Sequence, residues 1–388
     1  MTERPAAGSF VSRVLVVLLL CDLAIWAGFF VLTPFLPERI TSLGHSGTVV
    51  GLILAVRLLS QQGTMVVSGA LADRWGYRRA LLGGLAIRAC GFAQLALATS
   101  APMLALAAIL SGVGGSLIGA AFKASYTTAP GTADLAARFL WLAVADRLGQ
   151  VIGPMLGAAA PTFTGRAYLA VALFLAVALV VMFWLPEQAP HDNTTRPVLE
   201  NVLGQLRNRR LAGLVAVLCG YWALQQQMSV LIPLAATKVG RGGAVGTLFS
   251  ISALAGLALI LLLPKVRMDR LWHQLYLAQA ITTLSMTGPL LLPGYAGIVL
   301  VTVGLAVAAV IGQPAMDALV GSLSPPETRG SAYGFAALSF GVGGALGQVL
   351  GGWAWTLSAT GFPWILFAAL GLLTLLCLRL LKRGSGYV

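Results

Sequence analysis

The chain has 388 residues, 58% of them hydrophobic and only 10% charged, with a mean hydropathy of +0.88. Soluble domains carry about 25% charged residues, so this composition excludes a soluble protein and calls for a bilayer. The net charge of +13 suggests a nucleic-acid partner, but its distribution excludes one. Of 25 Lys and Arg, 17 fall in segments on one side of the predicted spans, 4 on the other and 4 within spans. That asymmetry follows the positive-inside rule, not a basic nucleic-acid footprint.

At roughly 30 residues per span and loop, about twelve helices fit this length. Residues 1–13 are short and polar, and Arg4 and Arg13 are expected to hold the N-terminus in the cytoplasm. The first apolar run, 14–36, has no small-residue cleavage site and reads as a retained helix. It carries Asp22, and Pro34 and Pro37 are predicted to end it. The second span, 48–70, carries Arg57, and the third, 80–98, carries Arg88. The fourth, 102–122, is studded with glycine, the fifth, 139–160, holds Asp146 and Arg147, and the sixth, 167–185, is plain. A polar stretch with four arginines follows and reads as a cytoplasmic linker. Spans seven to twelve are predicted at 211–235, 244–263, 271–292, 295–316, 331–353 and 362–381, so both termini are expected to be cytoplasmic. The resulting units are 1–186, a linker at 187–210, and 211–388. Cys21, Cys90, Cys219 and Cys377 lie singly in apolar runs, with no disulfide framework or zinc spacing.

The two halves repeat. Leu148-Gly-Gln-Val-Ile-Gly153 is echoed by Leu346-Gly-Gln-Val-Leu-Gly351, and Leu20-Cys-Asp22 by Leu218-Cys-Gly220, both at an offset of 198. One shared offset in the paired helices supports a six-plus-six duplication. By analogy, parallel six-helix repeats around a central substrate site are a transporter architecture.

Charges within the spans carry the chemistry. Asp22, Arg57, Arg88 and Asp146 each lie about nine residues into a helix, roughly 13 Å deep in a core about 30 Å thick. A charge there costs several kcal/mol unless paired or hydrated, so an interior cavity is expected. Arg57, Ser60, Gln61, Thr64 and Ser68 form one polar stripe, and Asp146, Gly149, Gln150, Gly153 and Gly157 repeat its spacing. Gln225 and Gln226 add polar groups from span seven. Asp22 reads as a proton carrier that gains and loses contact with Arg57, with Asp146 as a second candidate. The bland alternative is a static Asp22–Arg57 pair locking two helices, with Asp146 neutralising Arg88. Arg147, turned about 100° from Asp146, is a poor partner for it.

Between spans two and three lies Gly69-Ala-Leu-Ala-Asp73-Arg74-Trp-Gly76-Tyr-Arg78-Arg79. It reads as a short charged turn in which Asp73, just past a helix end, accepts from backbone N–H groups of a neighbouring helix N-terminus. This string resembles the signature of the major facilitator superfamily. The resemblance implies an all-α integral membrane fold of 12 transmembrane helices in two six-helix repeats, with Gly69, Asp73, Arg74, Gly76 and Arg78 as its cytoplasmic gate motif.

The helix-five string Gly149-x3-Gly153-Pro154-x2-Gly157 resembles the superfamily's antiporter signature, departing where Ala158 replaces a second glycine. The bland alternative is small-residue helix packing. Further strings, Arg57-x3-Gln61-Gln62-Gly63, Arg88-Ala-Cys-Gly91-Phe92-Ala93 and Arg329-Gly-Ser-x-x-Gly334-Phe335, look like the MdtH-type multidrug exporters of that superfamily. This implies proton-driven efflux of small organic molecules or metal-chelating metabolites across a bacterial inner membrane. Two departures stand out: Ala108 lies near the place of a usual arginine, and Gly119 near that of an acidic residue. An uptake symporter is the alternative. No nucleophile–base pair or metal-ligand spacing appears, so no enzyme, cofactor or metal is expected. The expected partners are substrate, protons and lipid, with no nucleic acid, and the chain is expected to be a monomer.

Overall fold

A computed structural model describes residues 13–128, 135–185, 207–262, 271–324, 329–358 and 360–384. Nearly all of the expected 187–210 linker lies outside them. The described chain is helical throughout. Its helices are α1 (Arg13–Leu32), α2 (Leu36–Ser42), α3 (Gly47–Gly63), α4 (Met65–Trp75), α5 (Tyr77–Leu97), α6 (Ala101–Thr128), α7 (Leu135–Ala159) and α8 (Phe163–Trp184). The second half holds α9 (Arg209–Gln225), α10 (Leu231–Lys238), α11 (Val245–Leu262), α12 (Leu271–Ser285), α13 (Gly288–Leu291), α14 (Tyr295–Ser322), α15 (Arg329–Leu338), α16 (Gly344–Leu357) and α17 (Phe362–Gly384). Among the described residues, nine helical segments are long and apolar enough to cross a membrane, ten with the bent pair α3–α4. The two that complete twelve are α7, which carries Arg138, Asp146 and Arg147, and the 15-residue α12.

Several predicted boundaries shift for physical reasons. Pro34 and Pro37 do not end the first span. Each sits in the first two positions of the next helical piece, a 3₁₀ turn and then α2, where a missing N–H costs nothing. The second span is not one straight helix, because α3 and α4 meet at a 50° bend. There Ser60 and Thr64 donate their hydroxyls to the carbonyls of Val56 and Ser60, at 2.7 and 2.6 Å, a contact that competes with the helical ladder and bends it. Span seven breaks at a 3₁₀ turn over Gln226–Met228, and span eleven widens into a π-turn over Ser339–Gly343. Both interruptions fall at the level where the halves face each other.

The cores segregate. One buried cluster, including Leu54, Phe92 and Phe174, is built from residues 15–185 apart from Val230 and Leu234. Two others are built from residues 211–378 apart from Phe35. The outward faces are apolar as well, with Phe183 75%, Leu291 71% and Leu372 63% exposed. Only lipid can solvate such a surface without loss.

The repeat seen in sequence is a repeat of packing. Gly149 and Gly153 on α7 lie against the carbonyls of Leu23 and Ala27 on α1, and Gly347 on α16 lies against the carbonyl of Ala223 on α9. A Cβ at Gly153 would sit 2.5 Å from the Ala27 oxygen, and one at Gly347 would sit 2.4 Å from the Ala223 oxygen. The same backbone approach, which only glycine permits, is thus made once in each half.

Where the halves meet, they close at one end. Gly352 abuts the Gly47 carbonyl, Gly51 abuts the Gln348 carbonyl, and Thr48 bonds Thr356 from both its N–H (2.9 Å) and its hydroxyl (3.1 Å). On the other flank, Ser250 donates to the Val151 carbonyl at 3.0 Å and Gly246 lies against Pro154. Toward the opposite end, Gly63, Gly69 and Gly119 face open space. The contacts between the halves named above thus lie away from the end that carries the Gly69–Arg79 segment.

Candidate transport cavity

Between the halves lies a cavity of about 380 Å³. Its lining includes Asp22, Trp26, Phe29, Phe30 and Thr33 from α1 and its 3₁₀ continuation, and Arg57 and Gln61 from α3. Arg88 of α5, Gly119, Phe122 and Lys123 of α6, and Asp146 of α7 add to it. The second half closes it with Gln226, Ser229 and Phe340. Lys123 is exposed and marks the mouth. The four midplane charges thus share one space, as the helix-depth argument requires.

Their pairing differs from the sequence expectation. Asp22 and Arg57 do not form an ion pair. Arg57 donates Nη1 to Gln61 Oε1 at 3.1 Å, and its guanidinium sits 5.1 Å from the Phe29 ring centre. Asp22 instead lines the cavity together with Asp146, with Lys123 as the cation on the same lining. One Asp22 oxygen, Oδ2, is buried without a partner. Nor does Asp146 neutralise Arg88, whose guanidinium lies 4.7 Å from the Phe29 ring centre and 5.4 Å from that of Phe174. The cavity therefore has a carboxyl pair on α1 and α7 and a guanidinium pair on α3 and α5, divided by an aromatic wall.

The glycine ladder accounts for the carboxyl pair. Gly149, Gly153 and Gly157 bring the α7 backbone against α1 one turn after another, and that approach brings Asp146 to Asp22. Pro154 adds its carbonyl to the contact with Gly246. Arg147 turns away as expected and lines a second cavity of about 210 Å³ with Gln150, Trp222, Gln225 and Gln226. Gln150 accepts from Arg147 Nη1 at 3.2 Å, and Gln225 donates to the Tyr221 hydroxyl at 3.0 Å. Gln150 and Gln225 therefore belong to this second space, while Gln226 borders both and accepts from Gln348 Nε2 at 3.2 Å.

The Gly69–Arg79 segment is less of a loop than expected. Residues 69–75 are the last turns of α4, and Gly76 alone, at φ 85°, makes the turn into α5. Asp73 lies inside the helix and accepts from the Tyr77 hydroxyl at 3.3 Å, so no bond to a neighbouring helix N-terminus is made in this conformation. Arg78 donates to the Met182 carbonyl, tying α5 to α8, and Arg74 is exposed.

Sequence reading missed the aromatic wall and Lys123 as site residues. Asp22, Trp26, Phe29 and Thr33 follow 4, 3, 4 spacing, the one-face signature that would have placed them together. The contribution of Phe340 had no local signal, because the π-turn that presents it depends on packing.

Helices in two packed halves around a polar, aromatic-walled cavity, nine or ten of them among the described residues long and apolar enough to cross a membrane, define a multi-pass membrane transporter. The chain belongs to the major facilitator superfamily, whose family model matches residues 18–313. It is 32% identical over 371 residues to the multidrug resistance protein MdtH of Yersinia enterocolitica, covering 92% of each chain. It is 30% identical over 373 residues to MdtH of Escherichia coli K12, covering 93% of this chain and 92% of that one. Among solved structures, the fold matches a POT family transporter bound to a thioalcohol-conjugated peptide with a TM-score of 0.81, at 15% identity over 96% of each chain. The nucleoside transporter NupG matches with a TM-score of 0.77 at 16% identity, covering 97% of this chain and 100% of that one. At such identities the likeness speaks for the fold alone.

Proposed function

We propose that this chain is a proton-coupled antiporter of a bacterial inner membrane that exports small organic molecules from the cytoplasm by alternating access. The observation that carries this reading is the carboxyl pair: Asp22 and Asp146, from two helices, line the same cavity with one buried oxygen unpartnered. Two carboxyls that share one buried cavity can share a proton and do not both ionise without cost. A substrate or a conformational change that alters their separation thereby takes up or releases a proton. The names of the 30–32% identical relatives support export as the direction.

The test is transport in everted membrane vesicles. Acidifying the lumen is expected to drive accumulation of substrates from a panel of aromatic drugs. Uptake driven only by the opposite gradient would make the protein a symporter.

In this reading the basic end of the bundle, with both termini and the 187–210 linker, is cytoplasmic. A cysteine introduced at Asn193 is expected to resist a membrane-impermeant maleimide in intact cells, whereas one at the exposed Ser42 reacts. Labelling of Asn193→Cys without permeabilisation would reverse the orientation.

The same reading assigns Asp73 to the opposite state, in which the cytoplasmic ends close and its carboxylate caps a helix N-terminus across the interface. Such a contact contributes about 1 kcal/mol. Asp73→Asn is therefore expected to slow substrate exchange several-fold, on that order of energy, with folded yield unchanged. Transport rates unchanged from the parent protein in both directions would remove the latch.

A further inference from the structure

Arg57 and Arg88 are two guanidiniums inside the helical bundle with no carboxylate paired to them among the described residues. Arg88 is only 5% exposed, and Nε of both arginines is buried without a hydrogen-bond partner. They flank the Phe29 ring, at 5.1 and 4.7 Å, and the charge acting most on Arg88 is Arg57, of like sign. The only side-chain oxygen that Arg57 is seen to use is the neutral Gln61 Oε1. Cation–π contact offsets part of the cost of burying a guanidinium, but an unpaired buried charge remains strongly unfavourable. The carboxyls of Asp22 and Asp146 line the same cavity from α1 and α7, and neither pairs with a guanidinium. Both arginines nevertheless line the cavity and are not sealed into packing.

We propose that Arg57 and Arg88, with the amide of Gln61, form an anion subsite of the cavity that receives the carboxylate or similar oxyanion of an aromatic organic acid. This rests on the cavity being the substrate site and names the class of molecule it takes. Guanidinium forks match planar oxyanions bidentately, and Phe29, Phe30 and Trp26 supply faces for a ring attached to the acid. The carboxyl pair stands on other helices, so the acid group and the coupling proton occupy different walls. A binding anion also removes the repulsion between the two arginines, so it is favoured over a neutral isostere twice.

The experiment measures equilibrium binding to the purified full-length protein in detergent, with matched probes: 2-naphthoate and 4-biphenylcarboxylate against their methyl esters. Charge-assisted hydrogen bonds predict that each acid binds about tenfold or more tightly than its ester. Arg57→Gln is expected to erase that preference while leaving ester binding intact, and Arg57→Lys to restore part of it. Because ester binding reports a folded cavity, loss of preference cannot be confused with loss of fold. Esters binding as tightly as acids, or a preference unchanged in Arg57→Gln, would overturn the subsite. A chloride arm, sodium chloride against sodium gluconate, separates the remaining source of an anion. Arg57-dependent stabilisation by chloride, with acids no better than esters, would assign a halide and overturn the substrate assignment. Proton coupling is read independently in vesicles: acid preference without gradient-driven transport would keep the subsite and reject the antiporter.

Discussion

Asp22→Asn is expected to yield a folded transporter that exchanges substrate down its gradient but no longer accumulates it against one. The amide mimics the protonated carboxyl permanently, so the cycle loses the step at which a proton leaves. Folding should not suffer, because the neighbour of Asp22 is another carboxyl, and neutralising one member of a like-charged pair relieves repulsion. The expected melting temperature is that of the parent protein or higher. Asp146→Asn is expected to show the same uncoupling. The measurement is substrate flux into proteoliposomes with and without a pH gradient, for each variant and for Asp22→Asn combined with Arg57→Ala. A static lock between Asp22 and Arg57 predicts the opposite pattern, in which single variants lose folded protein and the double neutral variant recovers fold and transport together. Gradient-driven accumulation persisting in Asp22→Asn would exclude it as the carrier.

The second large effect concerns the backbone contact that assembles the pair. Gly157→Val would place a Cβ 2.2 Å from the Val31 carbonyl oxygen, and Gly153→Val would place one 2.5 Å from the Ala27 oxygen and 2.8 Å from Phe30 Cβ. These are backbone neighbours and cannot swing aside, so α1 must move away from α7 as a whole. Overpacking of this kind costs roughly 1–3 kcal/mol, and two helices of one half lose their register. Both variants are expected to fall sharply in folded, monodisperse yield, and not merely to lose coupling. Gly119→Ala is the control, since a Cβ there meets nothing within 4 Å, and it is expected to fold normally. Gly157→Val purified at parental yield with a parental melting temperature would show that the α1–α7 contact is looser than described.

Much of this was legible in residues alone. Apolar runs of membrane length, the one-sided basic loops and the repeated Leu-Gly-Gln-Val strings follow from the period of a helix and the thickness of a bilayer. Depth was legible too, because rise per residue is constant, and it placed Asp22, Arg57, Arg88 and Asp146 at one level. Partnership was not. A helix position gives a direction to within a turn, whereas an ion pair depends on which neighbouring helix that direction meets. The static Asp22–Arg57 pair is not made for this reason. The glycines of α7 draw that helix onto α1, so Asp22 shares its cavity wall with Asp146, and Arg57 turns to Gln61 and Phe29.

The sequence by itself determined that the chain lives in a bilayer, that it crosses many times, that its halves repeat, and which superfamily its signature strings resemble. These properties are local: each depends on residues within one helix or one turn, where composition and spacing decide the outcome. The tertiary structure alone decided which charges share a cavity and which are left without a counter-charge. It also decided which end of the bundle is closed and that Asp73 rests on Tyr77 in this state. Those depend on contacts between helices far apart in the chain, set by where glycine lets two backbones touch and where a serine, a threonine or a π-turn bends the helix away from its ideal course.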